Sequence, residues 1–263
     1  MFIRDNKSYT KDAIDVKFKV TDSTKVKKVE LVKDGEVSED ITNGSFTISE
    51  EGDYKIRVTG LINEEKDYSL EDIFSDLTSD VYFDNEKPSV KNVTFDGEMK
   101  TVDSVIYYVS DGNIKIVVDD AKSGINKDTW SVSGVSMDKM TISDDGTTLT
   151  IPTSILPEGQ TTLSIHVRDN LGNEAQFSMS PYMHRTSPEI TGTGYTGNAK
   201  LINGIVYTTN GFTATLDGTD SEKVKKVELM KDGEVLSEVE NGKVKVPAES
   251  GEYSIRVTDI IAN

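Results

Sequence analysis

The chain has 263 residues, of which 35% are hydrophobic and 29% charged, with a net charge of −17 and no cysteine. The acidity excludes duplex nucleic acid and anionic membranes as partners, because phosphate binding needs clustered Lys and Arg. The missing cysteines exclude disulfides, thiolate zinc sites and cysteine nucleophiles, and no apolar run reaches the roughly 18 residues that would span a bilayer.

The elements read as strands from the start. Val16, Phe18 and Val20, then Val29 and Leu31, Phe46 and Ile48, and Tyr54, Ile56 and Val58 put apolar side chains at every second position. Such alternation gives each sheet one buried and one wet face. Lys33-Asp34-Gly35 and Asn43-Gly44 punctuate them, and Asp-Gly or Asn-Gly supplies the positive φ of a tight hairpin. Residues 63–79 break the rhythm. Tyr68 to Leu77 carries apolar residues near helical spacing, which predicts a loop with a short helix. Asp84-Asn-Glu-Lys-Pro88 follows as a junction. Ile114, Ile116 and Val118 resume the alternation, Asp145-Gly146 turns, and Leu163-Ser-Ile-His-Val-Arg-Asp169 makes another strand. His184-Arg-Thr-Ser-Pro188 is the next junction, before strands at Phe212 to Leu216, Val224 to Met230 and Tyr253 to Thr258.

The chain also repeats. Val26-Lys-Lys-Val-Glu-Leu-Val-Lys-Asp-Gly-Glu-Val37 returns 198 positions later as Val224-Lys-Lys-Val-Glu-Leu-Met-Lys-Asp-Gly-Glu-Val235. Tyr9, Tyr108 and Tyr207 stand 99 positions apart, and Leu163 to Asp169 parallels Tyr253 to Asp259. The pattern is A-B-A′ with a period near 100 residues. It divides the chain into 1–85, 86–185 and 186–263, with an insertion at 63–79. The first strand of the opening repeat and the last strand of the closing one are expected to be missing, as in a piece cut from a longer array. Many short strands per repeat predict an all-β chain of tandem sandwiches.

Glu50-Glu-Gly-Asp-Tyr54 and Glu249-Ser-Gly-Glu-Tyr253 resemble the Asp-x-Gly-x-Tyr segment of immunoglobulin domains. With Lys33-Asp34-Gly35, Asp169-Asn-Leu-Gly-Asn173 and Asp84-Asn-Glu-Lys-Pro88, the whole resembles the bacterial immunoglobulin-like (Big-type) repeats of secreted and cell-surface proteins. The resemblance implies immunoglobulin-like sandwiches in which Tyr54 and Tyr253 form tyrosine corners; Leu163 takes that place in the middle repeat. It implies an extracellular, secreted or wall-attached location and a stalk, spacer or adhesin role. Alternatives are accessory modules of a secreted glycoside hydrolase or protease, or a module binding a glycan or host protein. Neighbouring modules of the same chain are the expected partners. No insertion into a membrane is expected.

Chemistry is sparse. His166 alternates with core residues and His184 lies in a junction, so both are expected at the surface, and no catalytic motif accompanies them. The chain is not expected to be an enzyme. Calcium is the cofactor the resemblance brings up, since some immunoglobulin-like surface repeats stiffen their linkers with it. Asp84, Asp169, Asn173, Asp259 and Asn263 are its candidate ligands, although no calcium-loop spacing gathers them, and Asp and Asn here also serve to hold their own turns. For a sugar, the candidates are Trp130 and Tyr195, with a core anchor the expected role of Trp130. Lys115 alternates with core residues and faces water, which argues against an intramolecular isopeptide bond.

Overall fold

The computed structural model describes residues 1–219 and 222–261. Its described residues are strands and turns, with helix confined to three single 3-10 turns. They form two compact units. The first comprises Met1–Phe95, Asn113–Pro152 and Leu163–Met179, and the second Asp96–Gly112, Thr153–Thr162 and the chain from Ser180 onward, so residues 86–185 contribute to both.

In the first unit, one sheet runs in the order Phe2–Arg4, Lys7–Thr10, Asp80–Phe83, Gly52–Gly60, Val26–Lys33, Glu36–Asp40. Lys7–Thr10 and Asp80–Phe83 pair in parallel and the other neighbours antiparallel. Ile14–Lys17 pairs with Ser45–Ile48 as a second sheet. Val16, Phe46 and Ile48 from that sheet pack against Val29, Leu31, Tyr54, Ile56 and Val81 from the first. The Val26–Lys33 hairpin turns on Asp34 and Gly35, at φ 53° and 88°. That geometry is open to Gly and tolerated by Asp, which is why Asp-Gly marks the turn in the sequence.

The remainder of the first unit has the sheet Ser89–Phe95, Asn113–Asp119, Thr148–Pro152, Thr141–Ile142 and the sheet Ile125–Val132, Leu163–Asp169, Glu174–Met179. Ile114, Ile116, Val118, Leu149, Ile151, Leu163, Ile165 and Val167 are buried there. In the second unit, Met99–Val102, Val105–Tyr108, Tyr182–Met183 and Gly159–Gln160 form a small sheet. Beside it stand the three-stranded sheets Thr191–Ile202, Ile205–Asp217, Lys243–Val246 and Glu234–Glu238, Val224–Lys231, Tyr253–Asp259. Leu229, Val244 and Val246 close the interior between these two. Val224–Lys231 also repeats the burial pattern of Val26–Lys33 residue for residue.

Both tyrosine corners are present. Tyr54 donates its hydroxyl to the Glu50 carbonyl at 2.8 Å and Tyr253 donates to the Glu249 carbonyl at 3.1 Å. With the two-sheet packing and strand order, these make the chain an all-β array of immunoglobulin-like sandwiches.

The expectation for 63–79 is corrected. Glu65–Ser69 is a strand, paired antiparallel to the outer edge of Gly52–Gly60, with Arg57 forking onto Asp67 at 2.7 and 2.9 Å. The rest is a turn-rich loop. Leu70 and Leu77 fall at near-helical spacing because the loop tucks both into the core, with one i to i+4 bond from Phe74 N–H to the Leu70 carbonyl.

Candidate metal centre

Three strand ends of the first unit carry an aspartate each. Asp84 follows Asp80–Phe83, where the parallel ladder continues as its N–H donates to the Thr10 carbonyl at 2.8 Å. Asp120 follows Asn113–Asp119, and Asp169 closes Leu163–Asp169. All three are buried, and one carboxylate oxygen from each lies within 4.8 Å of the other two.

Each carboxylate first holds its own turn. Asp169 Oδ1 accepts the N–H groups of Leu171 and Asn173 at 2.8 Å, and its Oδ2 accepts the Asn173 amide at 2.6 Å. Asp120 Oδ1 accepts Gly124 N–H at 2.8 Å and Lys122 N–H at 3.2 Å. Asp84 accepts Glu86 N–H on Oδ1 and Ser123 N–H on Oδ2, both at 3.1 Å. The Asn173 amide also reaches the Asp84 carbonyl at 3.2 Å. The bonds within residues 84–86, 120–124 and 169–173 are the self-capping that Asp and Asn make in turns, while those from Ser123 and Asn173 to Asp84 tie separate strand ends together.

They leave the charge unbalanced. Among the described residues, no Lys, Arg or His nitrogen comes within ion-pair distance of the three carboxylates; the nearby cations bond backbone instead, Arg4 to the Asp120 carbonyl at 3.3 Å and Lys122 to the Phe83 carbonyl at 2.8 Å. Burial, and then the Asp84 and Asp169 charges, push the Asp120 carboxyl above its ordinary range. At an effective dielectric near 20, two such charges repel by about 3.5 kcal/mol at that separation. The Ser123 hydroxyl is buried with no hydrogen-bond partner, although its own N–H is bonded to Asp84. Three carboxylates make an all-oxygen donor set, which suits a hard divalent cation rather than zinc or copper. Calcium takes six to eight oxygens, so solvent would complete its shell.

The structure thus brings together Asp84, Asp169 and Asn173 and adds Asp120. It does not bring Asp259 to them, and Asn263 lies outside the described residues. Asp259 is bonded within the second unit to His184, whose Nε2 stands 2.6 Å from Asp259 Oδ1. His184 is buried, against the expectation of a surface histidine: its strand Tyr182–Met183 is paired in a sheet, and its N–H donates to the Tyr108 carbonyl. His184 Nδ1 has no hydrogen bond and lies 3.8 Å from Glu158. Burial alone would raise the Glu158 carboxyl, but Lys223 at 2.8 Å and the N–H groups of Thr186 and Arg185 bring it down to about 2. His166 stays on the sheet surface, paired with Glu174 at 2.9 Å.

The sugar candidates separate. Trp130 is 5% exposed and donates Nε1–H to the Gly146 carbonyl at 2.9 Å, so it has no ring face to offer and fills the interior. Tyr195 is 59% exposed, with its ring edge-on to Phe212 at 6.0 Å.

No family model and no curated protein matches the chain. Among solved structures, the fibronectin(III)-like modules of Clostridium thermocellum CbhA are 16% identical, covering 68% of this chain and 89% of theirs at a TM-score of 0.32. Dimeric latent PorU from Porphyromonas gingivalis is 16% identical over 97% of this chain and 29% of its own, at 0.30. The immunoglobulin domains 1–5 of Sidekick-1 are 10% identical over 98% and 59%, at 0.36. Scores of this size leave the fold to be read from the chain's own strand pairings.

Proposed function

We propose that this chain is a non-catalytic, extracellular segment of a bacterial surface protein, a stalk, spacer or part of an adhesin, built of three sandwich modules. A divalent cation, calcium by its abundance outside cells, occupies the Asp84–Asp120–Asp169 cluster and stiffens the strand ends that converge there. The observation that carries the cation is the three buried carboxylates within 4.8 Å of one another, with no Lys, Arg or His nitrogen in ion-pair distance of them among the described residues. For the spacer role, the support is a small sandwich plan used repeatedly, with functional weight on reach and stiffness.

Small-angle X-ray scattering in calcium and then in chelator tests the reading. The expected result is a wider spread of interatomic distances on chelation, reversed by calcium. Profiles that superimpose in the two buffers contradict it. The glycan-binding reading rests on Tyr195 alone, since its ring is the exposed one of the two candidates. Binding on a glycan array that Tyr195→Ala abolishes would favour it over a passive spacer.

A further inference from the structure

The loop that follows Asn113–Asp119 is bonded to different partners on its two sides. Its N–H groups face the carboxylates: Lys122 and Gly124 donate to Asp120 Oδ1, and Ser123 donates to Asp84 Oδ2. Its carbonyls are held from elsewhere. The Asn170 side-chain amide donates to the Ser123 carbonyl at 2.8 Å and to the Gly124 carbonyl at 3.1 Å, and Asn170 N–H adds a bond to the latter at 3.0 Å. The carbonyls of Asp120 and Lys122 share one donor, Nη1 of Arg4, at 3.3 and 3.2 Å.

Arg4 reaches them across 116 positions of sequence. It ends Phe2–Arg4, which pairs with Lys7–Thr10, and Lys7–Thr10 pairs in parallel with the strand that leads into Asp84. One sheet therefore carries both Asp84 and Arg4. Gly124 is shaped to this contact. Its φ is 77°, and a Cβ there would stand 2.6 Å from Arg4 Nη1, so a side chain would displace the guanidinium.

These contacts aim the peptide planes of the loop. In a trans peptide the carbonyl and the N–H of the next residue point in opposite directions, so fixing one orients the other. The Lys122–Ser123 peptide has its carbonyl on Arg4 and its N–H on Asp84. The Ser123–Gly124 peptide has its carbonyl on Asn170 and its N–H on Asp120. Without Arg4, the first of these planes and the Asp120 carbonyl lose the bonds that hold them from behind.

We propose that Arg4 is a positioning residue for the Asp84–Asp120–Asp169 site: by holding the Asp120 and Lys122 carbonyls it keeps Asp120 beside the other two carboxylates, ready for the cation. This rests on the cation reading given above. The charge of Arg4 acts in the opposite sense, since a guanidinium near the site repels a divalent ion, and charge alone would make its removal tighten binding. The side chain is half-exposed, so solvent screens that repulsion, whereas both carbonyl bonds are lost outright. Loss of an outer-shell contact weakens metal binding by about 10- to 100-fold. The lower figure applies here, because Arg4 holds the ligand's backbone and not its carboxylate.

Calcium titration of the full chain by isothermal calorimetry, wild type beside Arg4→Met, tests this, with hydrogen exchange at residues 122–124 in chelator as a second readout. Methionine keeps an apolar stem and removes both the charge and the donors. The expected result is about tenfold weaker calcium binding in the variant, together with faster exchange at 122–124. A merely structural Arg4 would lower the Tm and leave the calcium affinity of the folded chain alone. Equal or tighter binding in Arg4→Met, or unchanged exchange at 122–124, overturns this proposal and leaves the cation reading in place. No heat from the wild type overturns both.

Discussion

Replacing Tyr54 by phenylalanine removes one hydroxyl and leaves the ring in place. That hydroxyl donates to the Glu50 carbonyl at 2.8 Å from a side chain buried in the core, and burial holds the phenol above its ordinary pKa. A neutral hydrogen bond of this kind contributes about 1 kcal/mol net, and the Glu50 carbonyl, on an exposed residue, regains water when the donor is gone. The expected cost is about 1 kcal/mol, or roughly 2–4 °C in Tm for a body of this size. Tyr253→Phe is the internal control. Its bond is longer, 3.1 Å, and its side chain is half-buried, so its loss is expected to cost about 0.5 kcal/mol. Urea melts followed by circular dichroism give both values under one buffer. A Tyr54→Phe chain as stable as wild type, or a Tyr253→Phe chain that loses more, would refute the corner as a stabilising feature.

Trp130→Ala is expected to destabilise by about 3–5 kcal/mol in urea melts, since it opens a large cavity and orphans the Gly146 carbonyl, whereas Tyr195→Ala stays within about 0.5 kcal/mol. Comparable losses at the two positions would contradict the core role of Trp130. The Glu158 carboxyl sits near 2 in the folded chain against 4.5 for the free side chain, so its contribution is complete above about pH 4.5 and is lost as pH falls toward 2. A shift of that size is worth at most about 3 kcal/mol, and about 1–2 after allowance for solvent screening. Glu158→Gln should therefore be less stable than wild type at pH 6 and converge on it near pH 2, as read by melts across that range.

The sequence exposed what depends on short-range pattern. Tyr54 and Tyr253 were legible because the Gly-x-Tyr corner is local, and the Asp34-Gly35 turn because positive φ restricts residue type. Asp84 and Asp169 stood out by repeat position. Asp120 did not: it reaches the cluster from a loop 36 residues beyond Asp84, and only the fold closes that distance. His184 reads as solvated because it stands in a polar junction four residues before Pro188, while its burial comes from partners distant in sequence: its backbone continues the ladder onto Tyr108 and its ring bonds Asp259, 75 residues downstream. The strand Glu65–Ser69 was hidden by its own charges, Glu65, Lys66 and Asp67, which suit an edge whose support is a cross-strand Arg57–Asp67 pair. Leu70 and Leu77 supplied a false helical period in its place.

Calcium titration by isothermal calorimetry on the full chain, with Asp120→Asn beside it, tests the cluster most directly. The account predicts one saturable site in the wild type and none in the variant. In chelator the variant should be the more stable of the two at neutral pH, because a carboxyl raised by burial and like charges costs stability above its free value. Binding at 100 times the dissociation constant should raise wild-type stability by about 2.7 kcal/mol. No heat from the wild type, or the same heat from Asp120→Asn, would contradict a cation held by Asp84, Asp120 and Asp169.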